Sequence, residues 1–177
     1  GKVLVVAYRG EEGKNLFLAS REGLETWQRL AREGVSGLAR IYKIASSGKI
    51  PMVITEDPGG ESAREFFKSD AATLKKTARM IRSCCRTLQA VRSEGLLPLG
   101  ITPDTIFRKE GEEDYPAWLI PVSPGVFGDA VRLGDGRYVS PDALLLGDRE
   151  NVNADVYSLS WIWAEVLARD HGIDHHA

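Results

Sequence analysis

The chain of 177 residues carries 23 Lys and Arg against 25 Asp and Glu, a formal net charge of -2, with 43% hydrophobic and 27% charged residues. That composition suits one folded domain with its own core and argues against disorder, and the balanced charge gives nucleic-acid phosphate no electrostatic footing. No apolar run is long enough to cross a bilayer and no signal-peptide pattern is present, so the expectation is a cytoplasmic domain without direct membrane insertion, whose parent protein could still be anchored.

Residues 3–8 and 16–20 are β-branched or apolar runs joined by Gly10-Glu11-Glu12-Gly13-Lys14-Asn15, which predicts a hairpin. Residues 21–33 then predict a helix, with Leu24, Trp27, Leu30 and Ala31 on one face and Gly34 as its stop. A second hairpin is expected from residues 38–44 and 50–55 around Ser46-Ser47-Gly48, followed by the polar stretch Glu56-Asp57-Pro58-Gly59-Gly60. Ser69 or Asp70 can cap a long helix reaching Glu94 and ended by Gly95, with Leu74, Ala78, Ile81, Cys85, Leu88 and Val91 as its apolar stripe. Lys75, Lys76, Arg79, Arg82 and Arg86 lie elsewhere around that helix, a solvated face first and a site for an acidic partner second. Cys84 and Cys85 are neighbours in it and point in different directions, so reduced, buried thiols are expected rather than a disulfide. A loop to Phe107, an acidic loop over residues 109–114 and a strand at residues 118–120 come next. His171, His175 and His176 near the end read as an incidental tail, and no metal site is expected.

Two motifs follow: Tyr138-Val139-Ser140-Pro141-Asp142, and Asn153-Ala154-Asp155-Val156-Tyr157-Ser158 at the opening of an apolar helix over 155–168. Together they resemble the end of the activation segment and the central helix of protein kinases, where a Tyr-x-Ala/Ser-Pro-Glu turn precedes a helix opening Ser-Asp-Val-Tyr-Ser. The resemblance implies an α+β, protein-kinase-like fold in a single domain. A small antiparallel β N-lobe would span about 1–57, and a mainly helical, truncated C-lobe about 58–177. In that frame residues 3–8 and 16–20 look like the second and third N-lobe strands, 21–33 like the regulatory helix, 38–44 and 50–55 like the fourth and fifth strands, and 56–60 like the hinge.

Kinases need a glycine-rich loop, a strand lysine paired with a helix glutamate, an Asp base, and an Asn and a second Asp on magnesium. The glycine loop is expected before the first strand, and the lysine falls at Ala19 or Ser20, with Glu22 or Glu25 left as a surface carboxylate. Aligning Pro103-Asp104-Thr105-Ile106-Phe107 with the family's Pro-Glu-Asn-Ile-Leu puts the base at Gly100, the metal-binding Asn at Thr105 and the loop lysine at Thr102. The Asp-Phe-Gly site falls at Pro121-Val122-Ser123, without a carboxylate, and Asp104, Asp114 and Asp129 read as turn or solvated residues. The resemblance therefore implies a pseudokinase with degenerate positions Ser20, Gly100, Thr105 and Pro121, no catalytic residue, no cofactor and no metal. Asp155 matches the family aspartate that accepts backbone N–H groups of the catalytic loop, and Asp142 matches the glutamate of the Ala-Pro-Glu turn.

The helix over 155–168 has Val156, Tyr157, Leu159, Trp161, Ile162, Trp163, Val166 and Leu167 nearly all the way round, a pattern that asks for burial on every face. Each Trp left in water would forgo about 2 kcal/mol. Trp161, Trp163, Leu159 and Val166 are therefore interface candidates for a protein partner, a second copy of the chain or a following domain, the alternative being that residues 126–133 fold back over them. The functional expectation is a catalytically inactive interaction or scaffold module. The alternatives are a nucleotide sensor that holds adenine at residues 55–57 without phosphotransfer, and a residual atypical transferase.

Overall fold

A computed structural model describes residues 2–46, 49–69, 72–96, 100–108, 117–122, 136–141 and 153–170. Strand β1 (Val3–Ala7) leads directly into helix α1 (Gly10–Arg32), and strands β2 (Ile41–Ala45) and β3 (Met52–Glu56) form the next hairpin. All three strands make one antiparallel sheet in the order β1-β3-β2. β3 is central, with Val53 and Thr55 buried beneath it. β1 runs in register from Val3 opposite Glu56 to Ala7 opposite Met52. Its outer side is half open, with Val3 49% and Val5 54% exposed.

The expected strand at residues 16–20 is instead the second turn of α1 and the turn after it, so the predicted hairpin over 10–15 does not form. The reason is periodicity. Gly13, Leu16, Phe17, Ser20, Leu24, Trp27, Leu30 and Ala31 are buried at steps of three and four, a stripe that only one continuous helix can present to one core. Ser20 is tolerated inside because its hydroxyl donates to the Leu16 carbonyl one turn back, at 2.8 Å. Gly13 lets the helix start close to β1: a Cβ there would stand 2.6 Å from the backbone carbon of Tyr8.

Helix α2 (Ala63–Lys68), absent from the sequence reading, opens with a capping box in which Ser62 accepts from the Glu65 amide and Glu65 reaches back to the Ser62 amide. Of the two expected caps of the long helix, Ser69 instead closes α2 by donating to the Phe66 carbonyl, and Asp70 lies outside the described residues. Helix α3 (Leu74–Val91) is capped by Thr73, and a 3₁₀ turn at Arg92–Glu94 carries it to the left-handed Gly95. Its buried face is also rotated from the expected stripe. Thr77, Met80, Cys84, Thr87, Leu88 and Val91 face the core, while Ala78 and Cys85 are exposed and Ile81 is half-buried. Only Cys84 is thus a buried thiol, and both cysteines are free.

Strands β4 (Ile106–Arg108) and β5 (Ala117–Leu119) form a second antiparallel pair. Bonds from the Ala39 amide to the Leu119 carbonyl and from the Leu119 amide to the Gly37 carbonyl, 2.9 and 2.8 Å, attach β5 to the segment leading into β2. A 3₁₀ turn at Gly136–Tyr138 precedes helix α4 (Ala154–Asp170), which packs against α3. One continuous core joins these parts, with Phe17, Leu24 and Trp27 of α1, Met80 and Cys84 of α3, Ile106, Leu119 and Ile162. Among the described residues no helix is long and apolar enough to cross a membrane. The fold is mixed α+β, with small antiparallel sheets and several helices.

Candidate functional site

The loop at residues 100–105 sits where β4, β5 and the start of α4 converge. Gly100 has φ +68°, a left-handed conformation that suits glycine. Thr105 turns inward and closes the loop on itself. Its hydroxyl donates to the carbonyls of Gly100 and Thr102, at 3.3 and 3.1 Å, and accepts from the Thr102 amide at 2.9 Å. From behind, buried Asp155 accepts the Ile101 amide through Oδ1 at 3.4 Å. The Ile120 amide donates to the Thr105 carbonyl, which sets buried Pro121 against the same loop. Asp104 is an exposed turn residue, as expected, and Arg64 of α2 grips both of its oxygens, at 2.6 and 2.7 Å.

Gly100, Thr105, Pro121 and Asp155 are thus brought together, and Ser20 is not, since it lies on the buried side of α1. Tyr8 takes part instead. It is buried against Phe17 in an edge-on contact, and its hydroxyl donates to the Val122 carbonyl at 2.5 Å. Asp142, residues 126–133, Asp114, Asp129 and the three histidines lie outside the described residues. Among the described residues no group of three His, Cys, Asp or Glu could hold a metal ion.

A second cluster stands on α4. Tyr138 is buried, its hydroxyl donating to Glu165 Oε2 at 2.7 Å, while Arg137 pairs with Oε1 at 3.1 Å. Ser158 ties the pieces together by donating to the Tyr138 carbonyl at 2.6 Å. A pocket of about 320 Å³ opens beside this cluster, with Arg64, Lys68, Arg137 and Arg169 around a floor of Phe67, Pro103 and Val166. Glu165 was not singled out from the sequence, although it is the one carboxylate between Asp155 and Asp170 in an otherwise apolar helix, and that isolation was the available signal.

The interface candidates divide. Leu159 and Val166 are buried within the chain, because Leu159, Ile162 and Val166 form the inward stripe of α4. Trp161 is 40% exposed, and Trp163 is half-buried at the rim of a groove between α3 and α4. That groove measures about 330 Å³ and is lined by Ala78, Ile81, Arg82 and Cys85 on one side and by Val156, Ser160 and Trp163 on the other, over Leu159.

Burial raises both Tyr8 and Tyr138 above their ordinary value of 10.0, and Glu165 raises Tyr138 further. The unfolded chain loses these protons at lower pH than the native one, so the stability involved is complete below about pH 10 and is lost as pH rises beyond it. Urea midpoints measured at rising pH should therefore fall above about pH 10, with a shallower fall in Tyr138→Phe. A flat alkaline profile would contradict the burial of these phenols.

A scan against protein-family models finds no family that matches the chain, and a search of curated proteins finds no similar sequence.

Proposed function

We propose that this chain is a non-catalytic, protein-kinase-like module that acts by binding another protein. The observation that carries the reading is the loop at residues 100–105. At the positions where a kinase holds its base and a metal-binding Asn, it has Gly100 and a Thr105 whose hydroxyl is spent on the loop's own backbone. Asp155 meanwhile accepts the Ile101 amide, the architectural job that the resemblance gives it. Scaffold without a positioned base is the expected outcome of a kinase-like fold released from phosphoryl transfer.

The order of elements supports the frame and, within it, favours a different position for the strand lysine. The family's lysine strand is the one that precedes the regulatory helix, and here β1 precedes α1. Val6-Ala7-Tyr8-Arg9 then stands against Val-Ala-Ile-Lys in place of Leu18-Ala19-Ser20, and the residue in the lysine's place is Arg9. Ala7 and Arg9 are exposed on the side of the chain opposite buried Tyr8. This cation favours a second reading, a nucleotide sensor without phosphotransfer.

Thermal denaturation of the chain with ATP, with and without magnesium, separates the readings. The interaction module predicts no shift under either condition. A metal-independent rise in midpoint that Arg9→Ala abolishes would instead establish the sensor, and ATP turnover would return the chain to the transferases.

A further inference from the structure

The α3–α4 groove has an electrical asymmetry. α3 carries Lys75, Lys76, Arg79, Arg82 and Arg86 and no carboxylate along its 18 residues. Two of these cations sit in its first turn, where the helix dipole disfavours positive charge. Within the helix they are ordered. Lys75, Arg79, Arg82 and Arg86 recur at steps of four, three and four, immediately beside the stripe of Ala78, Ile81 and Cys85 that faces the groove. Among the described residues, Lys75, Arg82 and Arg86 are exposed and make no ion pair. The opposite wall, Val156, Ser160 and Trp163 at steps of four and three on α4, carries no charge. The groove is therefore an aliphatic trough with one cationic bank and one neutral bank.

We propose that this trough seats an acidic amphipathic helix of a partner protein, with aliphatic side chains at i, i+4 and i+7 pressed onto Ile81, Val156 and Trp163 and carboxylates along the flank that meets Arg82 and Arg86. The inference rests on the reading of the chain as a protein-binding module and supplies the chemistry of the partner. Apolar burial provides the attachment, while the charged bank sets orientation and rejects basic helices. A second copy of the chain fits less well: groove to groove it would set two cationic banks against each other, and among the described helices α1 mixes both signs, Glu11 pairing with Lys14 and Arg21 with Glu25.

Cys85 gives the test a built-in reporter, since it lines the groove and is exposed while Cys84 is buried. Three synthetic helices would be titrated onto the 177-residue chain: one with leucines at i, i+4 and i+7 flanked by glutamates, one with lysines replacing the glutamates, and one with the acidic sequence scrambled. The acidic helix should bind by fluorescence anisotropy, lose affinity with added salt, and slow iodoacetamide alkylation of Cys85. Arg82→Glu combined with Arg86→Glu should weaken it by about tenfold and turn the preference toward the lysine helix. Both substitutions lie on exposed positions, and circular dichroism checks that the fold persists. Equal binding of the acidic and basic helices would overturn the proposal, as would a stable homodimer by light scattering that protects Cys85 with no helix added. ATP turnover, by contrast, would defeat the non-catalytic reading and leave the charge preference of the groove as measured.

Discussion

Trp27→Ala is expected to destabilise the chain by about 3–5 kcal/mol, against the roughly 5–15 kcal/mol that a domain has to lose. Trp27 is fully buried in α1, and its indole N–H donates to the Ala39 carbonyl at 2.8 Å. Ala39 in turn donates to Leu119, so the indole fastens the long helix to the strand segment that links the two sheets. Truncation opens a cavity at that junction and leaves a buried carbonyl without its donor. Trp27→Phe separates the two losses, since it keeps most of the volume and drops only the bond. It should cost about 1–2 kcal/mol. Urea denaturation followed by circular dichroism measures both. A loss below about 1 kcal/mol for the alanine variant would mean that α1 does not depend on this contact.

What was legible in the sequence follows the physics of each segment. The hairpin of β2 and β3 is legible because two apolar, partly β-branched runs flank the sequence Ser-Ser-Gly, and the later part of α1 because Leu24, Trp27 and Leu30 keep helical spacing over several turns. The start of α1 imitates a hairpin because Leu16-Phe17-Leu18 is an apolar run with no period of its own and two glycines nearby suggest a turn. Gly13 serves a different need, the close approach of the helix to Tyr8, which no local pattern reveals. On α3 the more aliphatic stripe is the expected core face, yet Thr77 and Thr87 lie inside. Thr87 can do so because its hydroxyl donates to the Ser36 and Ser83 carbonyls. The stripe left outside is the one that lines the groove. Of the candidate site, Gly100, Thr105, Pro121 and Asp155 could be placed by motif alone, whereas Tyr8 and Glu165 depend on contacts between residues 114 and 27 positions apart.

Asp155 is where the two halves of the reading meet, and its substitution tests them together. Asp155→Ala should cost about 2–4 kcal/mol, because it strands the Ile101 amide in a buried loop and removes a carboxylate from the first turn of α4. Asp155→Asn keeps an oxygen acceptor at the same place and should lose roughly half as much, about 1–2 kcal/mol. The local signature is hydrogen exchange. The Ile101 amide should exchange faster in the alanine variant than in the asparagine variant, while β3, the central strand of the other sheet, keeps its protection. Thr105→Val supplies the comparison from the other side of the loop. It abolishes the hydroxyl that bonds Gly100 and Thr102, and should open the same loop without disturbing α4. If both variants destabilise the chain and neither affects binding of the acidic helix at Arg82 and Trp163, the loop is architecture and the groove is the working surface. If Asp155→Ala leaves both the denaturation midpoint and Ile101 exchange unchanged, the bond from α4 to the loop holds nothing, and the strongest support for the kinase-like frame goes with it.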